Sequence, residues 1–188
     1  MACIRFVATA IPGLLVIEPQ ASADARGTFA KTFIAEAFAE AGLATEFAEE
    51  YHSSSKEGVV RGMHFQLPPH DHDKTVFCTS GSVFDVVLDL RVGSPTFGSA
   101  VSHVLSGPSG HGLYIPAGCA HGFLSLSDDA VLAYKVTTAY APECDAGVLW
   151  SSVPVEWPCA DPVVSQRDAT FVSLADFDSP FVFAGGDL

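Results

Sequence analysis

Three histidines fall within VVRGMHFQLPPHDHDK (Val59–Lys74), at His64, His70 and His72. A His-x-His pair in a strand-rich chain is a common metal-ligating arrangement, because residues two apart share one face. Barrel metal sites built on such a pair add a carboxylate three or four residues further on. Here Asp73, Lys74, Thr75, Val76 and Phe77 follow. The glutamate is missing, and the ammonium near its place would repel a divalent cation. His121 in AGCAHGF offers a distant ligand, which keeps a metal-dependent enzyme as an alternative. His70 and His72 lie in the proline-led LPPHDHD stretch and read as solvated loop residues. His64 sits between apolar neighbours in RGMHFQ. Alternation places Arg61, Met63 and Phe65 on one face and Gly62, His64 and Gln66 on the other. A polar His–Gln face in an apolar strand suggests a polar cavity where an imidazole could move a proton. A buried structural histidine would fit the same pattern.

The elements that must position these residues are mostly strands. MACIRFVATAIPGLLVIEP reads as a strand, a turn and a second strand. It has no basic leader, and Pro12 and Gly13 break it well short of the ~20 residues a membrane span needs. FIAEAFAEAGLA (Phe33–Ala44) has helical apolar spacing, with Gly42 as its stop. KTVFCT, SGS and VFDVVLDLR read as a hairpin with Phe84, Val86, Leu88 and Leu90 on one face. AVSHVLS, GLYIPAG, HGFLSLS and VLAYKVTTAY follow, separated by Gly, Pro, Ser and Asp clusters. Many short strands in succession imply an all-β sandwich or barrel. After Val164 the pattern predicts a short helix, then SPFVF as an edge strand. No repeat or linker divides the chain, so residues 1–188 read as one domain.

Hydrophobic residues make up 48% and charged residues 16% of the 188, as in a compact protein. The net charge of -13 argues against nucleic-acid binding. An anionic ligand is compatible only if the few cations converge on it. The cysteines Cys3, Cys78, Cys119, Cys144 and Cys159 are odd in number and lack CxxC spacing. That favours free thiols in a reducing cytoplasm over a disulfide framework or a zinc site.

From DARGTF (Asp24–Phe29) through RGMHFQ, DKTVFCTSGSVFDVVLDLRVGSPTFG, YIPAGCAHGFLSLSDDAVLAYKVTTAY and SQRD, the chain resembles the nucleotide-sugar epimerases typified by dTDP-4-dehydrorhamnose 3,5-epimerase. The resemblance implies a metal-free jelly-roll (cupin-like) barrel with a few short peripheral helices, no cofactor, and a homodimer. It also implies a nucleoside-diphosphate 4-keto-6-deoxy sugar as substrate. Epimerisation beside a ketone needs a base, a counter-charge for the enolate, and an acid on the opposite face. By resemblance His64 is the base and Asp168 its carboxylate partner. Lys74 is the cation near the ketone oxygen, Tyr134 the acid, Tyr140 a second pocket wall, and His121 a supporting group. Arg26 and Arg61 match phosphate-contacting arginines. With Lys31 and Lys74, four of the nine basic residues would then sit near one pocket. Singly, each has an ordinary role open to it: Asp168 as a surface carboxylate, Tyr134 as a core aromatic, Lys74 as a solvated strand start, Arg26 as a turn partner of Asp24.

Two departures concern the nucleotide end. RGTFAK puts Lys31 where the family pattern carries an acid, and FAEEYHS puts Glu49 and Tyr51 in place of two amides. An ammonium suits the acceptor atoms of cytosine better than the ring N–H of thymine, so CDP competes with dTDP. On the other reading, thymidine stacks on Phe29 while Lys31 points to solvent. A metal-dependent cupin enzyme and a silent sugar-nucleotide-binding cupin are the alternative functions. Epimerisation at C3, C5 or both stays open.

Overall fold

The computed structural model describes residues 4–185, so Cys3 lies outside the described residues. In chain order the strands are β1 (Ile4–Ala8), β2 (Leu15–Pro19), β3 (Ala21–Asp24), β4 (Gly27–Ala30), β5 (Glu49–Ser55), β6 (Val60–Gln66), β7 (Lys74–Ser80), β8 (Ser82–Asp89), β9 (Ala100–Ser106), β10 (Gly112–Ile115), β11 (Cys119–Ser125), β12 (Ala130–Val136) and β13 (Asp145–Gly147). Two short helices, α1 (Ala35–Glu40) and α2 (Gln166–Ala169), flank them. A six-stranded sheet runs β1-β2-β10-β7-β12-β5, a five-stranded sheet runs β13-β6-β11-β8-β9, and β3 pairs with β4 apart from both. The two large sheets face one another as the expected jelly roll. No helix among the described residues is long and apolar enough to cross a membrane.

Alternation along the strands builds the layers. Val76, Leu113 and Leu132 of one sheet meet Val83, Val87 and Phe123 of the other in the central core. The outer face of the five-stranded sheet is also covered: Met63, Val86, Leu88 and Leu90 pack with Val153 and Phe181 of the C-terminal segment. The face predicted for β8 is therefore this outer one, while its inner face carries Val83, Val87 and the buried acid Asp85. Across the molecule, Phe38 of α1 is fully buried among Phe6, Phe33 and Phe47 over Leu15 and Ile17.

Three expectations change. The predicted hairpin does not form: β7 pairs with β10 and β12, whereas β8 pairs with β9 and β11. Gly81 turns the corner between sheets with φ +69°, and a Cβ there would lie 2.9 Å from Ala130 Cα. Only glycine fits such a corner. The helix expected over Phe33–Ala44 contracts to Ala35–Glu40, because Phe33 and Ile34 turn onto the aromatic cluster and Ile34 stays extended. Gly42 follows its end with φ +71°. SPFVF is not a strand; Val182 makes one isolated bridge to Val92, and Phe181 is drawn into the outer core.

Candidate active site

At one end of the sandwich the inward positions are polar. His64 and Gln66 of β6 face a cavity of ≈ 270 Å³ whose other walls include Lys74 of β7, Glu49 and Tyr51 of β5, and Tyr140.

A bulge brings β6 to this arrangement. His64 stands opposite His121 and Arg61 opposite Phe123, so Gly62 and Met63 together face Gly122. Simple alternation puts Arg61 outside with Met63 and Phe65; the bulge returns it to the side of His64. There its Nε donates to Ser55 Oγ at 2.9 Å, although it stays exposed and off the cavity wall. Gly62 has φ +137°, and a Cβ on it would lie 2.5 Å from Gly122 Cα. Its N–H donates to Asp168 Oδ2 at 3.1 Å.

Asp168 is buried in the first turn of α2, with its own N–H held by the Ser165 cap at 3.1 Å. Its Oδ1 lies 3.0 Å from His64 Nε2. The contact is close but off-axis, and the buried Nε2 has no aligned hydrogen-bond partner. Burial pushes the Asp168 carboxyl up, but His64 and the Gly62 N–H outweigh it and hold it below its ordinary value. A carboxylate thus backs the imidazole whose other side meets the cavity.

Lys74 is buried, not solvated. Burial pushes its ammonium down to about 8, against the opposing pull of Asp85, Cys119 and Asp145. Tyr134 points inward from β12 of the same six-stranded sheet, facing the sheet that carries His64, and stacks on Tyr51, centroids 4.9 Å apart and planes 20° from parallel. Its hydroxyl lies 3.3 Å from Ser53 Oγ, and burial drives its pKa upward, so it stays a neutral donor. The His121 ring lies 6.1 Å from that of Tyr134, and its Nε2 is 2.9 Å from Asp85 Oδ2. Nothing in the motifs assigned Asp85 a role, although an acid at an inward position of VFDVVLD is a signal in itself.

His72 departs from its expected place in solvent. It lines the cavity with Nδ1 3.2 Å from Thr138 Oγ1, and burial together with the Lys74 charge pushes it down to about 3. Gln66 is committed to the protein: Oε1 accepts from Ala141 N at 2.7 Å and Nε2 donates to the His70 carbonyl at 2.9 Å. At the mouth, Glu49 Oε1 accepts from Tyr140 N at 3.0 Å, and the Tyr140 hydroxyl donates to Asp145 Oδ2 at 3.2 Å. Asp145 also pairs with Arg167 at 2.7 Å. Asp145 and Arg167 lie outside the roles the sequence suggested, although Arg167 stands beside Asp168 in SQRD.

Arg26, Phe29 and Lys31 do not reach this cavity. They belong to the β3–β4 hairpin and its exit, where Phe29 is 64% exposed, Lys31 is exposed, and Arg26 pairs with Asp24. Among the described residues, His64, His72 and His121 join no cluster of three metal-ligating side chains.

Residues 8–176 match the family model described as dTDP-4-dehydrorhamnose 3,5-epimerase. The chain belongs to the dTDP-4-dehydrorhamnose 3,5-epimerase family. The family's Shigella flexneri enzyme of that name is 42% identical over 178 residues, spanning 93% of this chain and 98% of that protein. The dTDP-4-dehydrorhamnose 3-epimerase of Streptomyces niveus is 40% identical over 169 residues, 88% of this chain and 82% of that one. Among solved structures, the dTDP-6-deoxy-D-glucose-3,5-epimerase of Legionella pneumophila, in complex with dTDP-4-keto-L-rhamnose, superposes with a TM-score of 0.91 at 36% identity. The match covers 97% of this chain and 100% of that one. The epimerase relatives thus include both double and single epimerases by name.

Proposed function

We propose that this chain epimerises a dTDP-linked 4-keto-6-deoxyhexose at carbon next to the ketone. One observation carries the reading: a carboxylate-backed histidine and a buried ammonium line one cavity from facing sheets. His64 takes the α-proton while Asp168 holds its ring and stabilises the imidazolium. Charge then develops on the ketone oxygen, and Lys74 meets it away from bulk water. Tyr134 returns a proton to the opposite face of the sugar. One C–H bond breaks and another forms, so configuration inverts without oxidation or reduction. His121, backed by Asp85, supports the oxyanion.

A cavity of ≈ 270 Å³ suits a hexose and leaves a nucleoside diphosphate projecting from the mouth. At that mouth Arg167 is already paired with Asp145, so the diphosphate needs further cations. The β3–β4 arm carries Arg26, Lys31 and the exposed Phe29. In a homodimer this arm reaches the cavity of the other copy and supplies them. The dTDP names of the relatives favour thymidine, and Lys31 is the feature that keeps CDP in competition.

Incubation in D2O with matched dTDP- and CDP-4-keto-6-deoxyglucose tests the whole reading. Deuterium at C3, C5 or both defines the reaction, and relative rates define the base. No incorporation with either nucleotide would leave a silent binder.

A further inference from the structure

The geometry points to a site for a thiophilic divalent cation, zinc by chemistry, between the turn that follows β6 and the turn that precedes β13, held by His70, Glu143 and Cys144. A ring nitrogen of His70, a Glu143 carboxylate oxygen and Cys144 Sγ all lie within 4.8 Å of one another. Ligand atoms tetrahedrally arranged on zinc stand roughly 3.3–3.7 Å apart, so no pair need close by more than about 1.5 Å. Glu143 is exposed and His70 half-buried, which leaves both side chains room to move.

The backbone beneath them is already organised. Two turns end in the ligands, one closed by His70 N donating to Leu67 O at 3.0 Å and one by Cys144 N donating to Ala141 O at 2.9 Å. Leu67 N then donates to Cys144 O at 2.7 Å and ties the turns together. The His70 carbonyl is held as well, accepting from Gln66 Nε2 and from Thr138 Oγ1 at 2.8 Å. His70 is therefore placed from behind, as a metal ligand's backbone must be if the site is to be preformed. A thiolate beside an imidazole selects zinc or a similar soft ion over magnesium or calcium, and a water completes the fourth position. Cysteine spacing alone cannot show this site, because two of its three ligands are not cysteines and one comes from a distant loop.

Cobalt(II) is the probe. The full chain, stripped with chelator and titrated with Co2+, should bind one equivalent and show a near-ultraviolet thiolate-to-cobalt charge-transfer band that Zn2+ abolishes. Cys144→Ser should lose the band. His70→Ala and Glu143→Gln should each weaken Co2+ binding by roughly tenfold or more, the scale of losing support at a metal site. Absence of the band in the wild type, or its survival in Cys144→Ser, overturns the site. If Cys144→Ser fails to fold, unchanged Co2+ affinity in both other variants overturns it equally.

Discussion

Lys74 ties the chemistry of the cavity to pH. Its ammonium is pushed down to about 8, so it is charged below that pH and loses its proton as pH rises through it. If Lys74 meets the enolate, kcat/KM falls on the alkaline side with an apparent pKa near 8. Lys74→Arg, which cannot deprotonate in this range, should remove that limb, and Lys74→Met should lower kcat by about 10²–10³-fold. A pH profile unchanged in Lys74→Arg would detach Lys74 from the reaction. His64→Ala should cut deuterium exchange by about 10²–10⁴-fold. The smaller loss expected of Asp168→Asn, roughly 10–100-fold, distinguishes holding a base from being one. His72 is the opposite case. Its proline-led context looks solvated, yet what packs around a loop decides its burial, and no local pattern records that.

At the scale of elements, the β6 bulge is what turns His64 towards Asp168 while keeping Arg61 on the same side. Its hinge is Gly62, where a Cβ meets backbone 2.5 Å away. Gly62→Ala should destabilise the fold by roughly 1–3 kcal/mol or more and lower the exchange rate of the folded fraction, since the Gly62 N–H also holds Asp168. Urea unfolding paired with the exchange assay would show both losses; a fully active, equally stable variant would refute the role given to the bulge. Phe38 supplies the contrast. It is fully buried on the outer face of the six-stranded sheet, away from the cavity. Phe38→Ala should cost about 3–5 kcal/mol in urea while folded molecules keep their exchange rate.

For the whole molecule, the proposed dimer would join the exposed arm to the incomplete charge of the cavity mouth. If arms exchange between two copies, His64 of one copy and Arg26 and Phe29 of the other make one site. His64→Ala and the double variant Arg26→Ala/Phe29→Ala should each be nearly inactive alone. Co-expressed, they form mixed dimers with one intact site each, and activity should recover to about a quarter of wild type for statistical mixing in a two-fold dimer. A mixture no more active than its better component rules out the exchanged arm.

Much of this architecture was legible in the chain itself. Alternating apolar residues and glycine- or proline-marked turns specify most of the strands, and the motif order from DARGTF to SQRD identifies the family. The same patterns put Lys74 and Tyr134 on strands, because a two-residue period reports which side chains share a face. A period does not say which strand lies alongside or which face turns inward. So the β7–β8 corner passed for a hairpin, and the shared face of Phe84, Val86, Leu88 and Leu90 carried no sign that it is the outer one. The Asp85–His121 pair, the burial of His72, the side taken by Arg61, and the meeting of His70 with Cys144 all join residues distant in sequence or displaced by a bulge. Such contacts exist only once two sheets close on each other, and tertiary packing alone decides them.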